Sequence, residues 1–492
     1  MMKPFQKNLF IRFRSRWIVE KARKSIVVLM LDTVRRSALE EPGMGNIQSI
    51  ARKGTTYANA VSPGTWTAPS HAALFSDRMV SMISNVSRDF FKTDRIDPWM
   101  VRTKFLEDRA NTMAAKLSKL GYNSTLFSNN PFLTSSTNLG VGFDRVYDVW
   151  LDSNLKYNRG MADRFMPIVN GGARARKLMF WTSYFITRML PGTYLDRLYL
   201  SLRQRLNDGV SEADGTYRLD KGAKDTNAIL KSFLECKYDY RPQFIFINYM
   251  EAHENYPASK EAAIPDKWLY LGGIKELDDR TCRELYRAYK RRLHYLDRMV
   301  GEAVGMLKKS PIMENASLVI TSDHGQFFGE HGLLYHSLPP YEEVSGVPLI
   351  LANYENGRQV GERASRDAPV SLNALHKSII SMAEGRSDHL NGNLRDSRYV
   401  FSEHMGISEG WDEGLLRLLK SRSKSARAIY EAKNRYNRRV TAAYRGSMKL
   451  VHRFGRGGDE LYDISKDPEE SDNIIGNNRD IALELARSIG SA

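Results

Sequence analysis

Short apolar runs alternate with amphipathic stretches along this chain, and several of the runs end on a polar residue able to do chemistry. SIVVLMLDTV at 25–34 has no polar residue between Ile26 and Leu31, so it predicts a strand covered on both faces, with Asp32 at its carboxyl end. TMAAKLSKLGYNSTLFSNN at 112–130 reads as a helix stopped by Gly121 and then a second strand. PQFIFINYMEAH at 242–253 predicts a strand tipped by Glu251 and His253, and ASLVITSDHG at 316–325 one tipped by Asp323 and His324. VPLILAN at 347–353 and RYVFSEH at 398–404 predict two more. Residues 283–309 carry apolar positions at three- and four-residue spacing, the pattern of an amphipathic helix.

This alternation predicts an α/β protein with a doubly wound sheet flanked by helices. Ligands of such sheets gather beyond the carboxyl ends of the strands, so the polar tips are expected to share one crevice. Residues 151–240 fit the alternation poorly and predict a helical insertion, carrying the aromatic runs FWTSYFITRML and YLDRLYLSLRQRL. A lid, a partner surface or a membrane-surface helix would each suit it. From about 440 the pattern shortens, which predicts a small antiparallel sheet and a last helix at 479–489. The expected organisation is a basic extension at 1–24, a catalytic α/β unit at 25–405, and a C-terminal part at 406–492 with a basic helical segment and the small sheet.

Composition narrows the partners. A net charge of +16 favours anionic ones, such as lipid head groups or phosphorylated and sulfated glycans. No nucleic-acid-binding pattern accompanies the charge, so nucleic acid is not expected. Cys236 and Cys282 match no metal or redox spacing. The run IVVLML at 26–31 is too short to cross a membrane, and Arg188 interrupts 178–190. The expectation is a cytoplasmic protein without a signal peptide, with peripheral contact to an anionic membrane through 178–205.

The candidate chemistry centres on SPGTWTAPSHAALFSD at 62–77. Pro69 suits the first turn of a helix, which puts Thr67 just ahead of its amino end, where free N–H groups favour an oxyanion. Asp32, Asp323 and His324 offer hard carboxylates and one imidazole, a donor set for a single Mn²⁺, Mg²⁺ or Ca²⁺ ion, with Zn²⁺ also compatible. A cation that also took the Thr67 hydroxyl would lower its pKa and make it a nucleophile. Each signal alone is ordinary: an Asp after a strand is usually a cap, TAPS a helix start, SDHG a turn. Their coincidence at one predicted crevice carries the argument.

The ordered set VVLMLDTVR, TAPSH, ITSDHGQFFGEHGLLYH with PPYEEVSGVPLIL, and MKLVHRFGRGGDELYDISKDPEESDN resembles the sulfatase family of the alkaline-phosphatase-like superfamily, from residue 25 to 473. The resemblance implies metal ligands at Asp32, Asp323 and His324, with Thr67 as nucleophile and further ligand. It puts His71 in place of the nucleophile motif's arginine. His253 would face the substrate and protonate the leaving group, and His336 would stand where many members carry a lysine or histidine toward the transferred group. Sulfatases convert a cysteine or serine to formylglycine, and threonine has no route to that aldehyde. The threonine variants this chain resembles move phosphoethanolamine or phosphoglycerol units, and phosphonate monoester hydrolases are similar too. Thr33 replaces the second aspartate that often follows the first, which favours one cation. The function expected is hydrolysis or transfer of a phosphate diester or monoester, or of a sulfate ester, through a covalent Thr67 intermediate on an anionic glycan- or lipid-linked substrate. The alternatives are a sulfate-ester hydrolase with unmodified Thr67 and a non-catalytic binder of anionic glycan or lipid.

Overall fold

The computed structural model describes residues 23–83, 106, 108–134, 139–149, 219–236, 241–254, 267–386, 398–407, 424–455 and 458–491. The extension at 1–22, the bulk of the expected insertion at 151–218, and the membrane contact expected at 178–205 lie outside these residues.

The apolar run at 25–34 forms strand β1 (Ser25–Leu31), all of it buried. Its residues alternate between two cores. Val27, Leu29 and Leu31 pack in one, and Ile26, Val28 and Met30 in the other, because successive strand side chains point to opposite faces. The first core lies under helices α1 (Gly45–Ala51), α4 (Ala223–Glu235) and α5 (Asp279–Leu307). The second lies under α2 (Thr67–Ser76), α3 (Met113–Lys119) and α6 (Leu372–Ala383). Gly121 adopts φ +88°, the left-handed conformation that lets α3 stop and turn into the next strand.

The main sheet also contains β2 (Thr55–Tyr57), β3 (Asn123–Ser128), β4 (Arg145–Asp148), β5 (Gln243–Tyr249), β6 (Asn315–Thr321), β7 (Leu349–Glu355), β8 (Arg358–Val360) and β9 (Ala364–Arg366). Their order is β9-β2-β7-β6-β1-β5-β3-β4, with β8 paired to β7. From β6 to β4 every pairing is parallel, so β1, β3, β5 and β6 end at the same edge of the sheet. The strand expected at 347–353 forms as β7, antiparallel to β6.

A second sheet runs antiparallel through β10 (Val400–His404), β11 (Val440–Arg445), β12 (Met448–Arg453) and β13 (Glu460–Asp463). The strand expected at 398–404 thus pairs with the C-terminal strands. Helix α7 (Lys424–Tyr436) and α8 (Arg479–Ser491) complete the described C-terminal residues, and α8 covers the second sheet through Leu485 and Ile489. Among the described residues no helix is long and apolar enough to cross a membrane.

Candidate active site

Four adjacent parallel strands bring their tips together: Asp32 follows β1, Asn130 follows β3, Met250 to Glu254 follow β5, and Asp323 with His324 follow β6. Thr67 enters from the side as the first residue of α2, one step further into the helix than the sequence suggests. Trp66, at the N-cap, makes no side-chain cap bond, and Pro69 in the first turn brings no N–H, so the N–H groups that open the helix are those of Thr67 and Ala68. The chain leaves β1 through Thr33, which holds φ +61°. That conformation is costly for a β-branched residue, and it lets the Thr33 N–H donate to Asp323 Oδ1 at 3.3 Å.

Asp32, Asp323 and His324 are buried, and each offers a ligand atom within 4.8 Å of the others. His324 Nδ1 donates to the Gly325 carbonyl at 2.9 Å, which leaves the Nε2 lone pair free. Nε2 stands 3.6 Å from Asp323 Oδ2, 3.9 Å from Asp32 Oδ1 and 3.5 Å from the Thr67 hydroxyl. The Thr67 hydroxyl donates to Asp32 Oδ2 at 3.3 Å. Two buried carboxylate oxygens, Asp32 Oδ1 and Asp323 Oδ2, have no hydrogen-bond donor. Burial, then the neighbouring Asp323 charge, pushes Asp32 up to about 6, and burial pushes Asp323 up to about 7. Burial holds His324 below its ordinary value. Orphaned carboxylate oxygens around an imidazole lone pair are what a hard divalent cation needs, so this donor set fits one.

His253 and His336 sit beside this cluster, their rings 4.9 Å apart, with His336 4.6 Å from the His324 ring. His253 Nδ1 donates to the Glu254 carbonyl at 2.8 Å, and His336 Nδ1 to Gln326 Oε1 at 3.0 Å. Glu254 Oε2 lies 3.3 Å from the first ring nitrogen and 3.2 Å from the second. Burial lowers both histidines and Glu254 opposes it, while the two rings hold the Glu254 carboxyl well below the usual carboxylate range.

His71 is fully buried, with Phe75 and Phe246 edge-on to its ring. Its Nδ1 donates to the Thr67 carbonyl at 2.9 Å and stands 3.6 Å from Asp323 Oδ2. Burial pushes it down to about 3, so it is neutral and brings no arginine-like charge to the site.

Sequence reasoning missed Asn130, Glu254 and Lys221. Asn130 donates to Asp32 Oδ2 at 2.7 Å, and Lys221 Nζ binds the carbonyls of His253, at 2.7 Å, and Glu254, fixing that loop. Glu251, flagged as a strand tip, instead accepts from the N–H groups of Lys221 and Ala223 at the start of α4. For Asn130 the signal was available, because it ends a strand at the same edge that drew attention to Asp32.

A sheet of this order with its site at the parallel strand tips and a small antiparallel sheet behind is an alkaline-phosphatase-like fold. The Sulfatase family profile matches residues 24–386, and the chain belongs to that family. The uncharacterized sulfatase YidJ of Escherichia coli (strain K12) is 26% identical over 190 residues, 37% of this chain and 32% of that protein. The phosphoethanolamine transferase EptA of the same strain is 38% identical over 93 residues, 18% of this chain and 17% of that one. These matches span a third or less of the relatives' length. The solved phosphonate monoester hydrolase of Agrobacterium radiobacter superposes over 95% of each chain with TM-score 0.58 at 15% identity, a likeness of fold.

Proposed function

We propose that this protein is a hydrolase or transferase of phosphate esters, monoester or diester, that works through a covalent Thr67 intermediate. The observation that carries the reading is the Thr67 hydroxyl, 3.3 Å from Asp32 Oδ2 and 3.5 Å from His324 Nε2, beside two buried carboxylate oxygens without donors. Asp32, Asp323, His324 and Thr67 would hold one divalent cation, Mn²⁺, Mg²⁺, Ca²⁺ or Zn²⁺. When bound, it supplies charge that stabilises the Thr67 oxygen and the substrate's nonbridging oxygens.

In the first step Thr67 Oγ forms a bond to phosphorus as the bond to the organic oxygen breaks. The electron pair leaves with that oxygen, which takes a proton from His253 or His336. The arriving anion raises the pKa of both rings, which burial otherwise lowers. Asp32 Oδ2 is the acceptor for the Thr67 proton. In the second step a water or acceptor hydroxyl attacks phosphorus and the Thr67 ester bond breaks. The attacking oxygen gives its proton to the histidine that lost one, and Thr67 recovers its own from Asp32.

Threonine also disfavours the sulfatase route, because it cannot become an aldehyde hydrate that expels sulfate by collapse. A sulfate-ester hydrolase with unmodified Thr67 therefore ranks second. Accurate mass of the peptide containing Thr67, after incubation with bis(p-nitrophenyl) phosphate, p-nitrophenyl phosphate and p-nitrophenyl sulfate in Mn²⁺, tests the choice. A phosphoryl or phosphodiester adduct on Thr67 is expected; a sulfate adduct alone would reverse the ranking, and release of nitrophenol with no adduct and unchanged rate in Thr67→Ala would end the covalent reading.

A further inference from the structure

Asn130 stands where a turn residue is expected, after β3 and before Pro131, yet its side chain is 1% exposed and faces the active site. Its orientation is fixed by its surroundings. Oδ1 accepts from the Phe132 N–H at 2.8 Å, an Asx turn that Pro131 favours by disfavouring helical backbone at Asn130. The same backbone is tied by Ser128, whose hydroxyl lies 3.1 Å from both the Asn130 N–H and its carbonyl. With Oδ1 committed, the amide nitrogen must be the end that points inward.

That nitrogen donates to Asp32 Oδ2 at 2.7 Å, and it lies 3.4 Å from the Thr67 hydroxyl oxygen and 3.1 Å from the Met250 sulfur. Asp32 Oδ2 thus receives Asn130 and the Thr67 hydroxyl together, whereas Asp32 Oδ1 receives no donor. A carboxylate without this clamp could rotate and present either oxygen to either task.

We propose that Asn130 is a positioning residue that divides Asp32 between two duties, holding Oδ2 beside the Thr67 hydroxyl and leaving Oδ1 for the cation. This rests on the function proposed above. The same amide nitrogen, 3.4 Å from the Thr67 oxygen and bearing a second hydrogen, also stabilises that oxygen whenever it carries charge: as attacking nucleophile and again as leaving group when the Thr67 ester breaks. An amide serves where an ammonium would not, because a second fixed positive charge against Asp32 would compete with the cation for the same carboxylate.

The test uses the full purified chain and two variants. Asn130→Ala removes the clamp. Asn130→Asp keeps the Phe132 contact but turns an oxygen toward Asp32 and Thr67. In titration calorimetry with Mn²⁺, Asn130→Ala is expected to bind tenfold to about a hundredfold more weakly than the parent, the usual cost of removing a group that orients a ligand. With bis(p-nitrophenyl) phosphate, breakdown of the Thr67 adduct should slow more than its formation, so that the adduct accumulates in quenched samples read by intact mass. Loss of packing alone would lower the melting temperature without changing that partition. Asn130→Asp should bind Mn²⁺ at least as well as the parent and yet turn over at least tenfold more slowly, which no folding defect produces. Parent-like Mn²⁺ affinity in Asn130→Ala, or parent-like turnover in Asn130→Asp, overturns the proposal. If the parent releases nitrophenol from no ester, the functional reading has failed, and the Mn²⁺ affinities alone judge Asn130.

Discussion

Among the described residues, two buried clusters of charge are built on opposite electrostatic balances. In the first, Asp32 and Asp323 face histidines that burial keeps neutral, and Asp32 Oδ1 and Asp323 Oδ2 come no closer than 3.6 Å to a ring nitrogen. In the second, Lys449 is fully buried between Glu342, at 3.0 Å, and Glu470, at 2.7 Å. Arg36 holds the other Glu342 oxygen at 2.7 Å, the Glu342 N–H holds the other Glu470 oxygen at 2.6 Å, and the Tyr444 hydroxyl donates to Glu342 at 2.8 Å. Two carboxylates meet two cations there: Glu342 Oε2 and Glu470 Oε1 make no directed hydrogen bond, yet each lies 2.7 Å from a guanidinium or ammonium nitrogen, which the site carboxylates do not. The second cluster fastens the C-terminal sheet to the main one, because Lys449 lies on β12 while Arg36 follows β1. The first is short of positive charge, which is the condition for binding a cation.

The sharpest way to separate the clusters is by what their removal costs. Thr67→Ala is expected to lower kcat on p-nitrophenyl phosphate esters by about a thousandfold or more, with an unchanged melting curve. Turnover near the parent's would dissociate Thr67 from the chemistry. Lys449→Met should act the other way round. It leaves Glu470 buried without a cation, at a cost of about 3–5 kcal/mol in a urea melt, and kcat per folded molecule should hold. A melt within 1 kcal/mol or so of the parent would show that the second cluster is not what fastens the sheets.

The smallest effect has the opposite sign. In chelated protein Asp323→Asn should melt no lower than the parent, because burial disfavours the charged form it replaces, and it should no longer bind Mn²⁺. The same imbalance predicts a pH dependence. Asp32 and Asp323 hold their protons up to about 6 and about 7 in the fold, against an ordinary 3.8. Groups raised in this way add stability that is complete below the unfolded pKa and lost as pH rises through the folded one. Relative to Asp323→Asn, the melting temperature of chelated parent should therefore fall as pH rises from about 4 to about 7, a comparison that cancels the buried histidines, whose lowered pKa values act with the opposite sign, and Mn²⁺ should reverse much of that fall in the parent. A difference between the two proteins that did not change over this range would contradict the imbalance.

The terminal signature in MKLVHRF and DPEE carried the resemblance in sequence, but its purpose was not legible there. Lys449 and Glu470 are 21 positions apart in the chain and meet Glu342 only through the packing of β12 against the loop after β6. His71 shows the same limit. Its place in the nucleophile motif suggested a catalytic group; the packing adds that its ring lies against Phe75 and Phe246 with Nδ1 on the Thr67 carbonyl, and that burial pushes its pKa down to about 3.

By itself the sequence determined the strands, because runs such as SIVVLML leave no polar face to expose, and it determined the residues that end them, because polar groups collect where buried strands emerge. It also marked the threonine that sets this chain apart from formylglycine enzymes. Only the tertiary structure decided which of those polar tips is left without a partner, which histidine keeps a lone pair toward Thr67, and that Asn130 belongs among them. Those are questions of charge balance over a few ångströms between strands far apart in the chain, and no spacing along the sequence encodes them.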